Sequence, residues 1–153
     1  MPFWRLYYHL VWGTKNRGPL IDEGLENHLF PYLIDRAREL ECKVLAINGW
    51  NDHVHMVISI PPKYAVVEVV KRLKGASSHD FEDLGWQRGY GVLSVGERQC
   101  QIAIGYVENQ KKHHAQQTTI APLERMNEDE VGVESRVVHK AGGEYIVGED
   151  LPF

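Results

Sequence analysis

Asn51-Asp52-His53-Val54-His55-Met56-Val57-Ile58-Ser59-Ile60, closed by Pro61-Pro62, reads as a tight turn followed by a strand. The residues after the turn alternate: Val54, Met56, Ile58 and Ile60 share one parity, and His53 and His55 fall on the other. Cys42 to Trp50 has strand character too, so the two runs make a β-hairpin. Side chains two apart on a strand point to the same side, ~6.5 to 7 Å apart along the chain. The apolar parity therefore predicts the buried face, and the two imidazoles an open face on which they are able to grip one cation. An HxH pair by itself is better read as decorating a solvated sheet face or capping a hairpin turn.

Working outward, Trp4 to Trp12 alternates in the same way and predicts a first strand, followed by loop chemistry from Thr14 to Pro19. Asp22 then caps a helix in which Leu25, Leu29, Leu33, Ala37 and Leu40 recur at spacings of three and four. Beyond the hairpin, Val66, Val67, Val70 and Leu73 resume helical spacing, with Gly75 or the serines after it as points of interruption. Gly89 to Val95 predicts a fourth strand, and Glu97 to about Gln117 a long helix without proline. The order β-α-β-β-α-β plus a helix predicts an α+β, ferredoxin-like (split βαβ, RRM-like) antiparallel sheet. Both crossover helices are expected to cover one face, and a C-terminal helix follows. On that last helix, at 100° per residue, Tyr106, Gln110 and His113 span an arc of about 60°, with His114 some 40° outside it.

The chain has 153 residues, 43% apolar and 25% charged, which suits one globular domain and excludes collagenous or wholly disordered classes. No apolar run approaches the ~20 residues of a membrane span. The N-terminus lacks a secretion signal, so the expected location is cytoplasmic. Cys42 and Cys100 form no CxxC pair and are expected to be reduced and structural. The net charge of −4 speaks against a phosphate-rich partner, but it is unevenly spread: residues 1–117 carry +1 and residues 118–153 carry −5. We therefore divide the chain into a domain, 1–117, and an acidic extension, 118–153. The extension holds Glu128-Asp129-Glu130 and a hairpin around Gly142-Gly143.

Three stretches taken together resemble one family. They are Asn51 to Ile58, Gly89-Tyr90-Gly91-Val92-Leu93-Ser94-Val95, and Tyr106-Val107-Glu108-Asn109-Gln110-Lys111-Lys112-His113-His114. Their order is similar to that of the single-tyrosine HUH transposases of the insertion sequence 200/605 group, the IS200-like transposase family. Tyr8 to Lys15 looks like the same family's opening strand. The resemblance implies that His53 and His55 are metal ligands, Tyr106 the nucleophile and Gln110 a third ligand. It also implies Mg²⁺ or Mn²⁺ as cofactor, although Zn²⁺ equally fits these ligand types. The implied substrate is single-stranded DNA with hairpin ends. The implied assembly is a homodimer in which Tyr106 of one chain faces the histidines of the other.

The chemistry is coherent in its own right. A phenol with a reference pKa of about 10 is a weak nucleophile at neutral pH, and a phosphodiester anion repels attack, so a cation is needed at the phosphate. Attack leaves a 5′-phosphotyrosyl link and a free 3′-hydroxyl. The base is open at this level, with His113 and His114 as candidates or as exposed residues near a helix end. Candidate phosphate contacts are Lys15, Arg17, Lys71, Arg72, Lys74, Lys111 and Lys112, and Trp12, Trp50 and Tyr90 are candidates for stacking on bases. Two competing readings stand beside this one. A noncatalytic or domesticated nucleic-acid binder leaves the constellation idle, and a metal-dependent hydrolase has no use for Tyr106.

Overall fold

A computed structural model of the chain describes residues 2–127, and residues 136–140 and 143–147 by their backbone pairing. The elements are β1 (Tyr7–Gly13), α1 (Glu23–Glu39), β2 (Lys43–Trp50), β3 (His53–Ser59), α2 (Val66–Asp80) and β4 (Gly91–Val95). They continue with α3 (Cys100–Glu108), α4 (Gln110–Ala115), α5 (Ala121–Glu124), β5 (Arg136–Lys140) and β6 (Gly143–Val147). β1 to β4 form one antiparallel sheet in the order β2-β3-β1-β4. β1 and β2 run parallel on either side of β3, and α1 makes the crossover between them, as the split βαβ pattern requires.

Asp22 caps α1 by accepting from the Leu25 N–H at 2.7 Å, and Leu29, Leu33 and Ala37 turn inward from that start. α2 runs through Gly75 to Asp80 without the expected interruption. Its Ser77 hydroxyl donates back to the Leu73 carbonyl at 2.7 Å, a bond a helix accommodates, and accepts from Trp86 Nε1 at 2.9 Å. α1 and α2 close over Leu10, Trp12, Val54, Met56 and Ile58, the predicted apolar parity of β1 and β3. Trp12 is fully buried and meets Trp86 edge-on at 5.9 Å, so its ring is core and unavailable to a nucleobase.

The second sheet face, expected to be open, is covered. Cys100, Ala103, Tyr106 and Val107 of α3, with Ile120 and Leu123, pack on Ala46, Val57 and Val95. α3 carries apolar residues around most of its circumference, and such a helix is stable only when buried. His53 and His55 consequently lie under a roof, 1% and 0% exposed. β5 pairs antiparallel with β6, Lys140 opposite Gly143, whereas Gly142 and Glu128-Asp129-Glu130 lie outside the described residues. Among the described residues no helix is long and apolar enough to cross a membrane.

Candidate active site

β3 aims His53 and His55 into the space between the sheet and its roof. Each imidazole is held by the nitrogen it turns away from that space. His53 Nδ1 bonds Asp52 Oδ1 at 2.7 Å, and His55 Nδ1 bonds His9 Nε2 at 2.9 Å, with the latter two rings stacked at 5.0 Å. The Nε2 atoms of His53 and His55 are left buried without a hydrogen-bond partner. They lie 3.3 and 2.9 Å from the Glu124 carboxylate, but without the alignment of a hydrogen bond. Buried imidazole nitrogens oriented from behind by a carboxylate or a second ring are what a metal ion requires of histidine ligands, so this donor set fits a cation.

Glu124 stands at the end of α5, and its carboxylate joins the whole constellation. Oε1 faces His53 Nε2 and lies 3.0 Å from His114 Nε2; Oε2 faces His55 Nε2 and accepts the Tyr106 O–H at 2.7 Å. His53, His55, His114 and Glu124 each offer one donor atom, and all four atoms lie within 4.8 Å of one another. The Tyr106 oxygen also accepts from the Ile120 N–H at 3.0 Å.

Burial works against the Glu124 charge, but the neighbouring histidines, His55 foremost, outweigh it and hold the carboxyl far below its usual range. Burial also opposes a charge on His53, where the bond to Asp52 and the facing Glu124 carboxylate win and raise its pKa. On His55 and His9 burial prevails; with the His55 charge beside it, His9 is pushed down to about 3. With both rings neutral, the tautomer in which His55 Nδ1–H donates to His9 Nε2 is the one that leaves His55 Nε2 free to donate its lone pair. Burial, then the charge of Glu124, push the Tyr106 phenol well above its ordinary value, so it stays protonated.

The expected single helix from Glu97 to about Gln117 is broken at Asn109, which has φ −99° and ψ 19°. The Asn109 side chain donates to the Gly105 carbonyl at 2.7 Å, and Asn48 of β2 donates to the Glu108 carbonyl at 2.9 Å. Those bonds engage acceptors of the helical ladder and turn the chain. The predicted arc survives the break, with Tyr106, Gln110 and His113 all buried. His113 stacks on the Tyr106 ring at 4.7 Å, while His114, expected outside the arc, faces the carboxylate. Gln110 is buried with its amide oxygen 3.0 Å from His114 Nε2. Neither histidine is exposed: His113 is buried and His114 half-buried, its ring stacked on Trp50 at 5.3 Å.

The expected basic contacts divide. Lys15 and Lys112 are exposed, and Arg17 pairs with Asp52 at 3.2 Å, close behind His53. Lys71, Arg72 and Lys74 ride on α2, on the sheet face away from the histidines. Lys74 donates to the carbonyls of Gln87 and Gly89, and Lys111 to Glu26, Asn48 and Gly49. The chain's own oxygens thus engage both amines.

Sequence reasoning missed three participants. His9 had a signal: it lies on the parity of β1 opposite Leu10 and Trp12, as His53 and His55 do on β3. Asp52 had a weaker one as the residue beside His53 in the turn. Glu124 had none, since an isolated glutamate beyond the last motif looks like any other in an acidic extension.

A family model described as transposase, IS200 like, matches residues 2–110. The ISDra2 transposase TnpA of Deinococcus radiodurans is 30% identical over 119 residues, covering 70% of this chain and 85% of that protein. The transposase for insertion sequence element IS200 of Salmonella typhimurium is 29% identical, with 70% and 78% covered. Among solved structures, one from Deinococcus radiodurans R1 described as a transposase superposes with a TM-score of 0.58 at 28% identity, covering 71% of this chain and 93% of the other. A REP-associated tyrosine transposase bound to a REP hairpin gives 0.59 at 14% identity, with 74% of each chain covered.

Proposed function

Because the chain belongs to the IS200-like transposase family, we propose that it is a DNA transposase and acts as a metal-dependent single-strand endonuclease and strand transferase with Tyr106 as nucleophile. The observation that carries this reading is the convergence on Glu124. Its Oε2 lies 2.7 Å from the Tyr106 hydroxyl and 2.9 Å from His55 Nε2, so nucleophile and metal-binding face share one small space.

His53 and His55 hold a divalent ion, Mg²⁺ or Mn²⁺ in the family pattern, with Gln110 as a neutral third donor. When bound, the ion polarises the scissile phosphate and offsets the charge that gathers on it. The Tyr106 oxygen forms its bond to phosphorus as the bond from phosphorus to the 3′-oxygen breaks, and the phenolic proton ends on the departing 3′-hydroxyl. The 5′-phosphotyrosyl link conserves the phosphodiester, so a second 3′-hydroxyl reseals it without ATP. Lys15, Arg17 and Lys112 contact DNA phosphates beside the site, and Lys71 and Arg72 do so on the far face, on single-stranded DNA with hairpin ends. The domain responsible is residues 1–117 together with the segment that delivers Glu124, and it works as a homodimer.

A denaturing gel tests this directly. Wild type with a single-stranded oligonucleotide and Mn²⁺ is expected to yield a covalent protein–DNA adduct. EDTA, Tyr106→Phe and His53→Ala should each abolish it, and Gln110→Ala should reduce it less, because water replaces a neutral ligand. No adduct from wild type with any divalent ion or DNA end would return the chain to the noncatalytic reading.

A further inference from the structure

Building on the metal-dependent reading above, we infer that before DNA arrives the ion is held by four protein donors: Nε2 of His53, His55 and His114, and a carboxylate oxygen of Glu124. Two of them, His114 and Glu124, lie beyond the residues that match the family. The four donor atoms fall within 4.8 Å of one another, close enough to surround a single ion. Each sheet histidine is oriented from behind, His53 by Asp52 and His55 by His9. The Nε2 atoms of both are buried and unpartnered, and they face the carboxylate without hydrogen-bond alignment, as donors do when they aim at a common point. His114 is set in place by stacking on Trp50 at 5.3 Å and 15°. Glu124 is anchored by the burial of Ile120, Leu123 and Met126 around it.

Three imidazoles and one carboxylate form a donor set for a borderline ion such as Zn²⁺, whereas Mg²⁺ prefers an all-oxygen shell. Four protein donors also close a tetrahedral shell, while a reacting ion needs an open position. Glu124 is the donor placed to give way. Its second oxygen holds the Tyr106 hydroxyl, so its departure opens the ion and releases the nucleophile together. Gln110, bonded to His114 at 3.0 Å, is the nearest replacement.

The test is calorimetric titration of the metal-free full chain with Zn²⁺, Mn²⁺ and Mg²⁺, alongside the visible absorption of the Co²⁺ form. Zn²⁺ should bind far more tightly than Mg²⁺. Glu124→Gln and His114→Ala should each weaken Zn²⁺ at least as much as loss of an outer-shell partner does, about 10- to 100-fold. Gln110→Ala should weaken Zn²⁺ less than either of these when DNA is absent. The intense absorption of four-coordinate Co²⁺ should appear in wild type and fade in Glu124→Gln, and circular dichroism should show both variants folded. If both bind Zn²⁺ as wild type does while His53→Ala does not, the two extra donors are wrong and the metal-dependent reading survives. Mg²⁺ binding as tightly as Zn²⁺ overturns the ion class. Wild type binding no ion, with or without DNA, overturns both, and the cluster is then a buried hydrogen-bonded network.

Discussion

Tyr106 is tied on both sides, accepting from the Ile120 N–H at 3.0 Å and donating to Glu124 at 2.7 Å. Removing its hydroxyl leaves a buried N–H without that acceptor and a carboxylate without that donor. Tyr106→Phe is therefore expected to cost about 1–3 kcal/mol of stability in addition to the adduct, measurable as a lowered urea midpoint at unchanged slope. An unchanged midpoint would show that the phenol is held less firmly than the structure has it. At this scale the sequence was informative where a side chain's role follows from its own strand or helix. The parity of β3 identified His53 and His55. It misjudged their exposure, because parity says which residues share a face and nothing about what later covers it.

The element that decides the site is the segment from Ile120 to Asn127, crossing the sheet at β4. It passes so close to Gly91 that a Cβ there would stand 1.9 Å from the Arg125 carbonyl oxygen and 2.8 Å from Val11 Cγ1. The first obstacle is backbone, so the crossing segment must lift. Gly91→Ala is expected to cost about 1–3 kcal/mol by overpacking and to weaken Zn²⁺ binding about as much as Glu124→Gln does. Wild-type affinity in Gly91→Ala would show that the segment does not govern the ion. The same scale explains the helix misreading. No proline lies between Glu97 and Gln117, and at the break the Glu108 carbonyl accepts from Asn48, a residue 60 positions earlier in the chain. Local propensity has no access to such a partner.

For the whole molecule, the proposed reaction, with one nucleophilic tyrosine per chain and two DNA ends to join, calls for two subunits, and sedimentation with DNA is expected to show a dimer. The resemblance implies a site shared between chains, yet within one chain the Tyr106 ring lies 6.0 Å from that of His55 and reaches the carboxylate beside it. This geometry predicts catalysis in cis: mixed dimers of Tyr106→Phe and His53→Ala chains should show no adduct above either parent, and a restored adduct would establish the shared site. The order of elements, the apolar face of the sheet, and the candidates His53, His55 and Tyr106 all follow from periodicities and motifs local to a strand or helix, and these are written in the chain directly. The roof over the histidines, the reach of His114 to the carboxylate, and the placing of Glu124 against His53, His55, His114 and Tyr106 do not. Each arises from contacts between segments far apart in sequence, where burial and hydrogen-bond satisfaction across the folded molecule, rather than any local preference, select the partner.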